Sequence, residues 1–355
     1  MIDFVTVEEC LSFKNALFID VRSPSEYKEA TIVNAINFPI LTDAERAEVG
    51  TVYRKESHQK AISLGVKFAS YKLPQLYDRT QEYIKKYDQI VFFCWRGGMR
   101  SKSVCNFLSM LKVPHVYQLV GGYKAYRKYI MDYFENELDV FRFVMVHGHT
   151  GVGKTHILEQ LAFGGMGVLN LEELAQNSGS VFGDIVFSGD IPTQKMFESR
   201  IFHTFYYSPN KTIFVESESK RIGNVQIPEK IYQRMVGGYH VLIETTMENR
   251  IHTILQDYNC HLIESENKIK KALENLRKRL GNEAIDILLL KLSQKEYRFI
   301  VEYLFKNYYD PLYQYSIEKY RDYDLIINYI QIEEAVNQLI EFANNLEKRK
   351  ELSHK

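Results

Sequence analysis

"VFRFVMVHGHTGVGKTHILEQLA", residues 140–162, decides the fold of the larger part of this chain. An apolar, strand-like run ends at His147. Gly148 follows, then four residues, then Gly153-Lys154-Thr155 at the head of a helix-forming run. Strand, glycine-rich loop and helix in that order make a P-loop. In such a loop Gly148, Gly151 and Gly153 let the backbone N–H groups wrap a β-phosphate. Lys154 then bridges outer phosphate oxygens, and Thr155 can hold Mg2+. No segment reads as a base-binding pocket, so the loop calls for a diphosphate or triphosphate without specifying a nucleotide. Downstream, the apolar strand "TIFVES" (212–217) ends on Glu216, with Glu218 close behind. An acid there steadies a metal or its water; two solvated glutamates are the alternative.

Upstream lies a second cradle. The buried-strand run "QIVFF" (89–93) leads directly into "CWRGGMRS" (94–101) and a helix over 100–112. Amides of a loop entering a helix N-terminus carry partial positive charge. Gly97 and Gly98 permit the dihedrals of a ring, Arg96 and Arg100 add fixed charge, and Ser101 is a candidate cap. The thiolate is the nucleophilic form of Cys94, and such a ring favours it. A buried structural cysteine in an ordinary strand–helix turn is the competing account. Five residues separate Cys94 from Arg100. That spacing fits thiol phosphatases, whose ring holds phosphate. It equally fits rhodanese-type sulfurtransferases, whose ring holds a persulfide or its selenium analogue.

With 355 residues the chain suits two or three domains. It has 45% hydrophobic and 25% charged residues with zero formal net charge, which argues against non-specific coating of nucleic acid. The four cysteines, Cys10, Cys94, Cys105 and Cys260, lack metal-ligand spacing and read as reduced thiols. No basic-then-apolar leader is present and no run approaches the roughly 18 apolar residues of a span, so the expectation is a cytoplasmic protein without a membrane partner. Strand-like and helix-like segments alternate through the first part: strands 15–22, 33–39, 89–93 and 115–120, and helices from Ser23 or Ser25, over 74–88 and over 100–112. Alternation of this kind predicts a parallel sheet with ligands at the strands' C-terminal ends. The expected division is 1–138, then a P-loop α/β domain over 139–246 with a strand at 239–244, then a helical region over 247–355.

In that last region "NKIKKALENLRKRLG" (267–281) carries six basic residues against one acidic. Ile269, Leu273, Leu276 and Leu280 form one apolar stripe, which leaves Lys270, Lys271, Lys278 and Arg279 facing solvent. A solvated face is the default reading, and contact with RNA phosphates is the sharper one. "NYYDPLYQYSIEKY" (307–320) concentrates Tyr308, Tyr309, Tyr313, Tyr315 and Tyr320, suited to core packing or to stacking on unpaired bases.

Stretches beyond the two loops carry a resemblance. "FIDVRSPSEYKEATIVNAINFP" (18–39) and "LVGGYKAYRKY" (119–129) resemble the opening and closing blocks of rhodanese. Asp20 and Arg22 read there as a structural pair, and Ala30-Thr31 replace the usual Gly-His. A rhodanese-like unit fused to a P-loop unit resembles the tRNA 2-selenouridine synthase family. "CWRGGMRS", "HTGVGKT", "NLEELAQNSGSVFG" (170–183), "VESESKRIGNVQIP" (215–228) and "YYDPLYQYSIEK" (308–319) carry the likeness. Asn177-Ser178 stand where that family has His-Arg, so no role passes to them.

The resemblance implies tRNA as partner, bound at its anticodon region and modified at a wobble 2-thiouridine. It implies S-geranylation with geranyl diphosphate, then replacement of the geranylthio group by selenium from selenophosphate through a Cys94 perselenide. Selenophosphate and geranyl diphosphate are thus co-substrates, with a selenophosphate-producing enzyme as a candidate partner. Two rivals stand beside it: a thiol phosphatase fused to a P-loop small-molecule kinase, and a nucleotide sensor with a docking module.

Overall fold

A computed structural model describes residues 2–177, 189–259, 266–320 and 322–353. It divides into one unit up to Asn136 that also takes in Glu198–Phe202, and a second formed from Glu137 onward.

The first unit is built on a parallel sheet of β1 (Asp3–Val5), β2 (Ala16–Asp20), β3 (Ile36–Asn37), β4 (Gln89–Phe93) and β5 (Val116–Leu119), in the order β1-β5-β4-β2-β3. Its centre, β4, is covered on both faces, which is why Ile90, Val91, Phe92 and Phe93 read as an unbroken apolar run. The helix Pro24–Glu29 starts at Ser23, with proline in its first turn and Glu26 accepting from the Ser23 N–H at 3.2 Å. Two helices outside the sequence reading, Asp43–Lys55 and His58–Ser70, are capped by Thr42 and Ser57 and pair with each other. Strand β1 was likewise not expected.

The second unit contains β6 (Arg142–His147), β7 (Gly167–Leu169), β8 (Thr212–Glu216), the short hairpin β9 (Arg221–Ile222) and β10 (Val225–Gln226), β11 (Tyr239–Thr245) and β12 (Leu325–Tyr329). Its main sheet is parallel throughout, in the order β12-β11-β6-β8-β7. The helix after β6, Lys154–Phe163, buries Ile157, Leu158 and Leu161 against it.

The reading of 247–355 as a helical, P-loop-independent region needs correction at β12. This five-residue strand pairs with β11 from Leu325↔Val241 to Tyr329↔Thr245, and buries Ile327 and Tyr329. It is short and flanked by helix, so its period of two was masked. The helix Ile332–Ser353 then covers the sheet, placing Ala335, Val336, Leu339, Ala343 and Leu346 in the same core as the P-loop helix. Most of the helical region is therefore an insert between β11 and β12, with its own core around Leu273, Leu288, Leu304 and Phe305.

Candidate active site

Cys94 is the residue after β4, and the next helix, Met99–Met110, begins at Gly98 rather than at Arg100. Ser101 is not the cap. It lies inside the first turn, and its hydroxyl donates to Cys94 Sγ at 3.2 Å. Gln118, at the end of β5, donates to the Gly97 carbonyl at 2.6 Å and to Ser101 Oγ at 3.2 Å. The ring is thus held by side chains from the next strand as well as by its own glycines.

The closing block supplies a second brace. Tyr123 and Lys124 donate their N–H groups to the carbonyls of Cys94 and Trp95, both at 2.9 Å. This close approach needs Gly122: its φ is +59°, and a Cβ there would sit 2.2 Å from Cys94 O and 2.5 Å from Gly97 N. The opening block supplies the third brace. Arg100 forks onto Glu26 at 2.5 and 3.1 Å. Burial pushes the Glu26 carboxyl up, but the Arg100 hydrogen bonds and charge outweigh it and hold the group below its ordinary value. Arg96 is exposed at the ring's edge.

Asp20 and Arg22 are the structural pair expected. Both are buried, Arg22 donates to Asp20 at 2.6 Å and to the Ala30 carbonyl at 2.6 Å, and its guanidinium lies over Tyr123. Thr31 joins them through Asp20 at 2.9 Å. Cys10 and Cys105 are buried thiols that are not part of the ring, though Cys105 shares a core with Cys94. Burial pushes Cys10 up to about 12, and burial together with the Cys94 charge raises Cys105, which disfavours the thiolate at both. Cys260 lies outside the described residues, as do Ser178–Gly183 of one motif and the side chain of Tyr315.

In the second unit the P-loop runs from Gly148 to Thr155 between β6 and its helix, with Gly153 as N-cap and Gly148, Gly151 and Gly153 all at positive φ. Gly151 has no room for a Cβ, which would meet Phe305 at 2.8 Å and the Arg250 carbonyl at 2.9 Å. Lys154 Nζ donates to the carbonyls of Gly148 at 2.8 Å and His149 at 3.4 Å. Burial lowers the Lys154 pKa against the pull of Glu172, Glu218 and Glu216. Thr155 is half-buried in the first turn.

Glu216 ends β8, beside the P-loop strand, and is buried. Its Oε2 accepts from the Leu171 N–H at 2.9 Å, while Oε1 has no partner among the described residues. Burial raises its pKa to about 8; Glu218 is raised to about 7 by burial and by Glu172. An orphaned carboxyl oxygen whose charge is felt by the P-loop lysine fits a hydrated cation, since Mg2+ keeps several waters and takes few protein ligands.

Several residues of this site gave no signal in the sequence. Arg250, nearly buried, donates from Nε to the Thr150 carbonyl at 2.9 Å and forks onto Asp310 at 2.5 and 3.0 Å. Tyr329 donates to the Val152 carbonyl at 2.8 Å, and His149 sits 3.5 Å from Asp310. "YYDPLYQY" drew notice for its tyrosines, yet Asp310 is the residue that grips the loop. Of those tyrosines, Tyr309 is buried in the insert core, Tyr308 and Tyr313 pack against it, and Tyr320 stacks on His240 at 4.2 Å. They serve packing.

The basic segment is two helices, Glu266–Asn275 and Arg277–Leu280. Ile269, Leu273 and Leu276 are buried, whereas Lys270, Lys271, Lys278 and Arg279 are exposed. Arg279 donates to Tyr308 Oη at 2.9 Å.

Comparison with known proteins agrees with both units. A family model described as the tRNA 2-selenouridine synthase AAA domain matches residues 141–345, and a rhodanese-like domain model matches residues 6–129. The tRNA 2-selenouridine synthase of Hydrogenovibrio crunogenus is 32% identical over 340 residues, covering 88% of this chain and 92% of that protein. The protein of that name from Marinobacter nauticus is 31% identical, covering 84% and 88%. That from Hahella chejuensis is 29% identical, covering 87% of each. No helix among the described residues is long and apolar enough to cross a membrane.

Proposed function

The chain belongs to the tRNA 2-selenouridine synthase family, and from that premise we propose a two-step reaction divided between its two cradles. In the first step the sulfur of a wobble 2-thiouridine attacks C1 of geranyl diphosphate, an S–C bond forms, and diphosphate leaves. In the second, selenium takes the place of the geranylthio group at C2. The C2–S bond breaks, geranylthiolate departs, and the selenium comes from selenophosphate.

The order has a chemical reason. A bare thiocarbonyl sulfur leaves C2 with heavy negative charge. Alkylation turns C2 into an isothiourea-like electrophile with a thiolate leaving group. Cys94 is the selenium carrier in this reading, holding it as a perselenide anion. A disulfide takes up the two electrons released when the selenide of selenophosphate bonds to the Cys94 sulfur and phosphate leaves. The outer selenium displaces geranylthiolate from C2. Two thiols then reduce the S–Se bond, restoring that disulfide and the Cys94 thiolate and leaving selenium on C2. The observation that carries the assignment is the Ser101 hydroxyl aimed at Cys94 Sγ, at 3.2 Å, at the mouth of a helix N-terminus. A donor and a helix dipole directed at sulfur favour an anion on that atom. Arg96 adds charge for the donor's phosphate. Lys154 and the P-loop amides take the diphosphate and stabilise the charge that develops as it leaves. Mg2+, when bound, would be held by the Thr155 hydroxyl with a water positioned by Glu216, and would supply further charge neutralisation. The exposed lysines at 270, 271 and 278 are the proposed contact with tRNA phosphates.

Two variants test the division. Cys94→Ser should geranylate 2-thiouridine tRNA and stop there. Lys154→Ala should not geranylate, yet convert tRNA supplied already S-geranylated when selenophosphate is added. Nucleoside mass spectrometry reads both. Normal geranylation by Lys154→Ala, or its failure on the pre-geranylated tRNA, would break the assignment. Cys94-dependent hydrolysis of an aryl phosphate with no tRNA conversion would favour the phosphatase–kinase reading instead.

A further inference from the structure

A cavity of about 260 Å3 opens in the first unit next to the thiol ring. Its walls come from the two helices absent from the sequence reading, through Val49, Ile62, Val66 and Ala69, and from Phe107 of the helix that starts at the ring. Met99 and Arg100, the first two residues of that helix, border it. Ile62, Val66 and Ala69 recur at helical spacing on one face of His58–Ser70, and Ile62 and Val66 are 42% and 62% exposed. An apolar helix face left open beside a reactive thiol is an unusual use of surface.

The chemistry of the walls limits what can enter. Among the described residues the only charged lining group is Arg100, and its guanidinium is committed to Glu26. The walls thus offer little to a phosphate or a sugar. The volume lies at the small end of ligand cavities, which run from about 300 to 1,000 Å3, so it suits a short aliphatic chain better than a peptide segment. Its border on Met99 and Arg100 puts such a chain where the atom bonded to it would approach the Cys94 ring.

We propose that this cavity binds the geranyl chain of the S-geranyl nucleoside during the selenium step, holding C2 toward Cys94 and receiving the departing geranylthiol. The inference rests on the two-step reading. It gives the chain a second purpose: besides making sulfur a leaving group, it is the handle by which the thiol unit recognises the right substrate. Binding alone is assigned to the cavity, and no bond is made or broken in it.

The test compares two tRNAs, one carrying S-geranyl-2-thiouridine and the other S-methyl-2-thiouridine. Both present the same activated C2 and a thiolate leaving group; only the chain differs. The full-length enzyme with selenophosphate should prefer the geranyl substrate at least about tenfold in kcat/KM, since burial of a few methylene groups accounts for that much. The double variant Ile62→Glu/Val66→Glu changes two exposed positions and should fold normally. It should lose the preference while converting the methyl substrate within about twofold of wild type. Ala69→Trp, which fills the cavity instead of charging it, should do the same. Retention of the preference by both variants would overturn the cavity assignment, as would an equal loss on both substrates. If the wild-type enzyme neither makes nor uses S-geranyl tRNA, the two-step reading itself falls, and the cavity assignment with it.

Discussion

Gly122→Ala isolates the brace behind the thiol ring. At φ +59° an alanine carries the strain of the left-handed region, about 1–2 kcal/mol. Its Cβ would lie 2.2 Å from Cys94 O and 2.5 Å from Gly97 N, both backbone atoms that cannot rotate away. The ring must therefore retreat by roughly 1 Å, which loosens the bonds from Tyr123 N and Lys124 N to the Cys94 and Trp95 carbonyls, each worth about 0.5–1.5 kcal/mol. The sum is a loss of roughly 2–5 kcal/mol in the first unit, or a melting shift of about 5–20 °C at its size. A displacement of that order at the reacting sulfur should slow selenium transfer by about 100-fold. Geranylation, assigned to the other unit, should stay within about twofold.

Gly98→Ala is the control. Nothing lies within 4 Å of its Cβ, so the one cost is that of alanine at this helix N-cap, about 0.5–1 kcal/mol. Melting should fall by only a few degrees while the ring keeps its place. The assays are calorimetry and single-turnover conversion of S-geranylated tRNA. A Gly122→Ala enzyme that melts and selenates like wild type would refute the brace and the closeness of approach it is built on.

Glu216 makes stability depend on pH. Its folded pKa of about 8 lies above the ordinary carboxylate value of 4.5, so the folded state binds the proton more tightly, and its contribution is lost as pH rises between those values. The ceiling is on the order of 4 kcal/mol; in urea titrations at pH 5 and pH 8.5, Glu216→Gln should flatten the decline, and an unchanged slope would show that the carboxyl is ionised throughout. Replacing Lys270, Lys271, Lys278 and Arg279 by Ser should weaken tRNA binding, and reduce the salt slope of log K by about 0.7–0.9 for each phosphate the protein no longer neutralises. Melting should hardly change, because these side chains are exposed, and an unaltered slope would make the segment a solvated face. Cys10→Ala and Cys105→Ser should keep selenium transfer, and intact mass after selenophosphate treatment should place the added selenium on Cys94; label on Cys105 would reverse the assignment.

Both loops were legible in the sequence because their chemistry depends on residues close together in the chain. Gly148 to Thr155 and Cys94 to Arg100 each fold as a strand–loop–helix unit, and local spacing records that. What holds them in place was not legible. Arg250 reaches Thr150 across 100 positions, Tyr329 reaches Val152 across 177, and Glu26 reaches Arg100 across 74. Such partners look like ordinary helix or strand residues until the sheet order brings them together. Strand β12 escaped for the same reason: its pairing with β11 is set by a chain return after the helical insert. The paired helices that wall the apolar cavity were also missed. Asp43–Lys55 has no buried residue and no apolar stripe, while the apolar positions of His58–Ser70 (Ile62, Val66 and Ala69) lie open on the cavity instead of under a core, Ala61 alone being buried.

The two cradles are built to different degrees of readiness. In the thiol ring the charged and polar groups already have their final partners: Arg100 on Glu26, Gln118 on Gly97, Ser101 on the sulfur. A carrier anion can form on Cys94 without rearrangement, and the ring acts as a fixed dipole around a small charge. In the P-loop the principal cation is engaged with its own backbone, since Lys154 Nζ donates to the Gly148 and His149 carbonyls. An incoming diphosphate must take over those bonds, and the exchange is favourable because a charged acceptor binds an ammonium roughly twice as strongly as a neutral one. In the proposed reaction a ligand bearing several negative oxygens would displace those carbonyls more readily than a weaker acceptor. Arg250, held by Asp310 and donating to Thr150, keeps the loop backbone in place while the lysine changes partner. In the proposed reaction the same P-loop would hold substrate diphosphate and release it once the chain has left, whereas the thiol ring would stay shaped for one atom throughout.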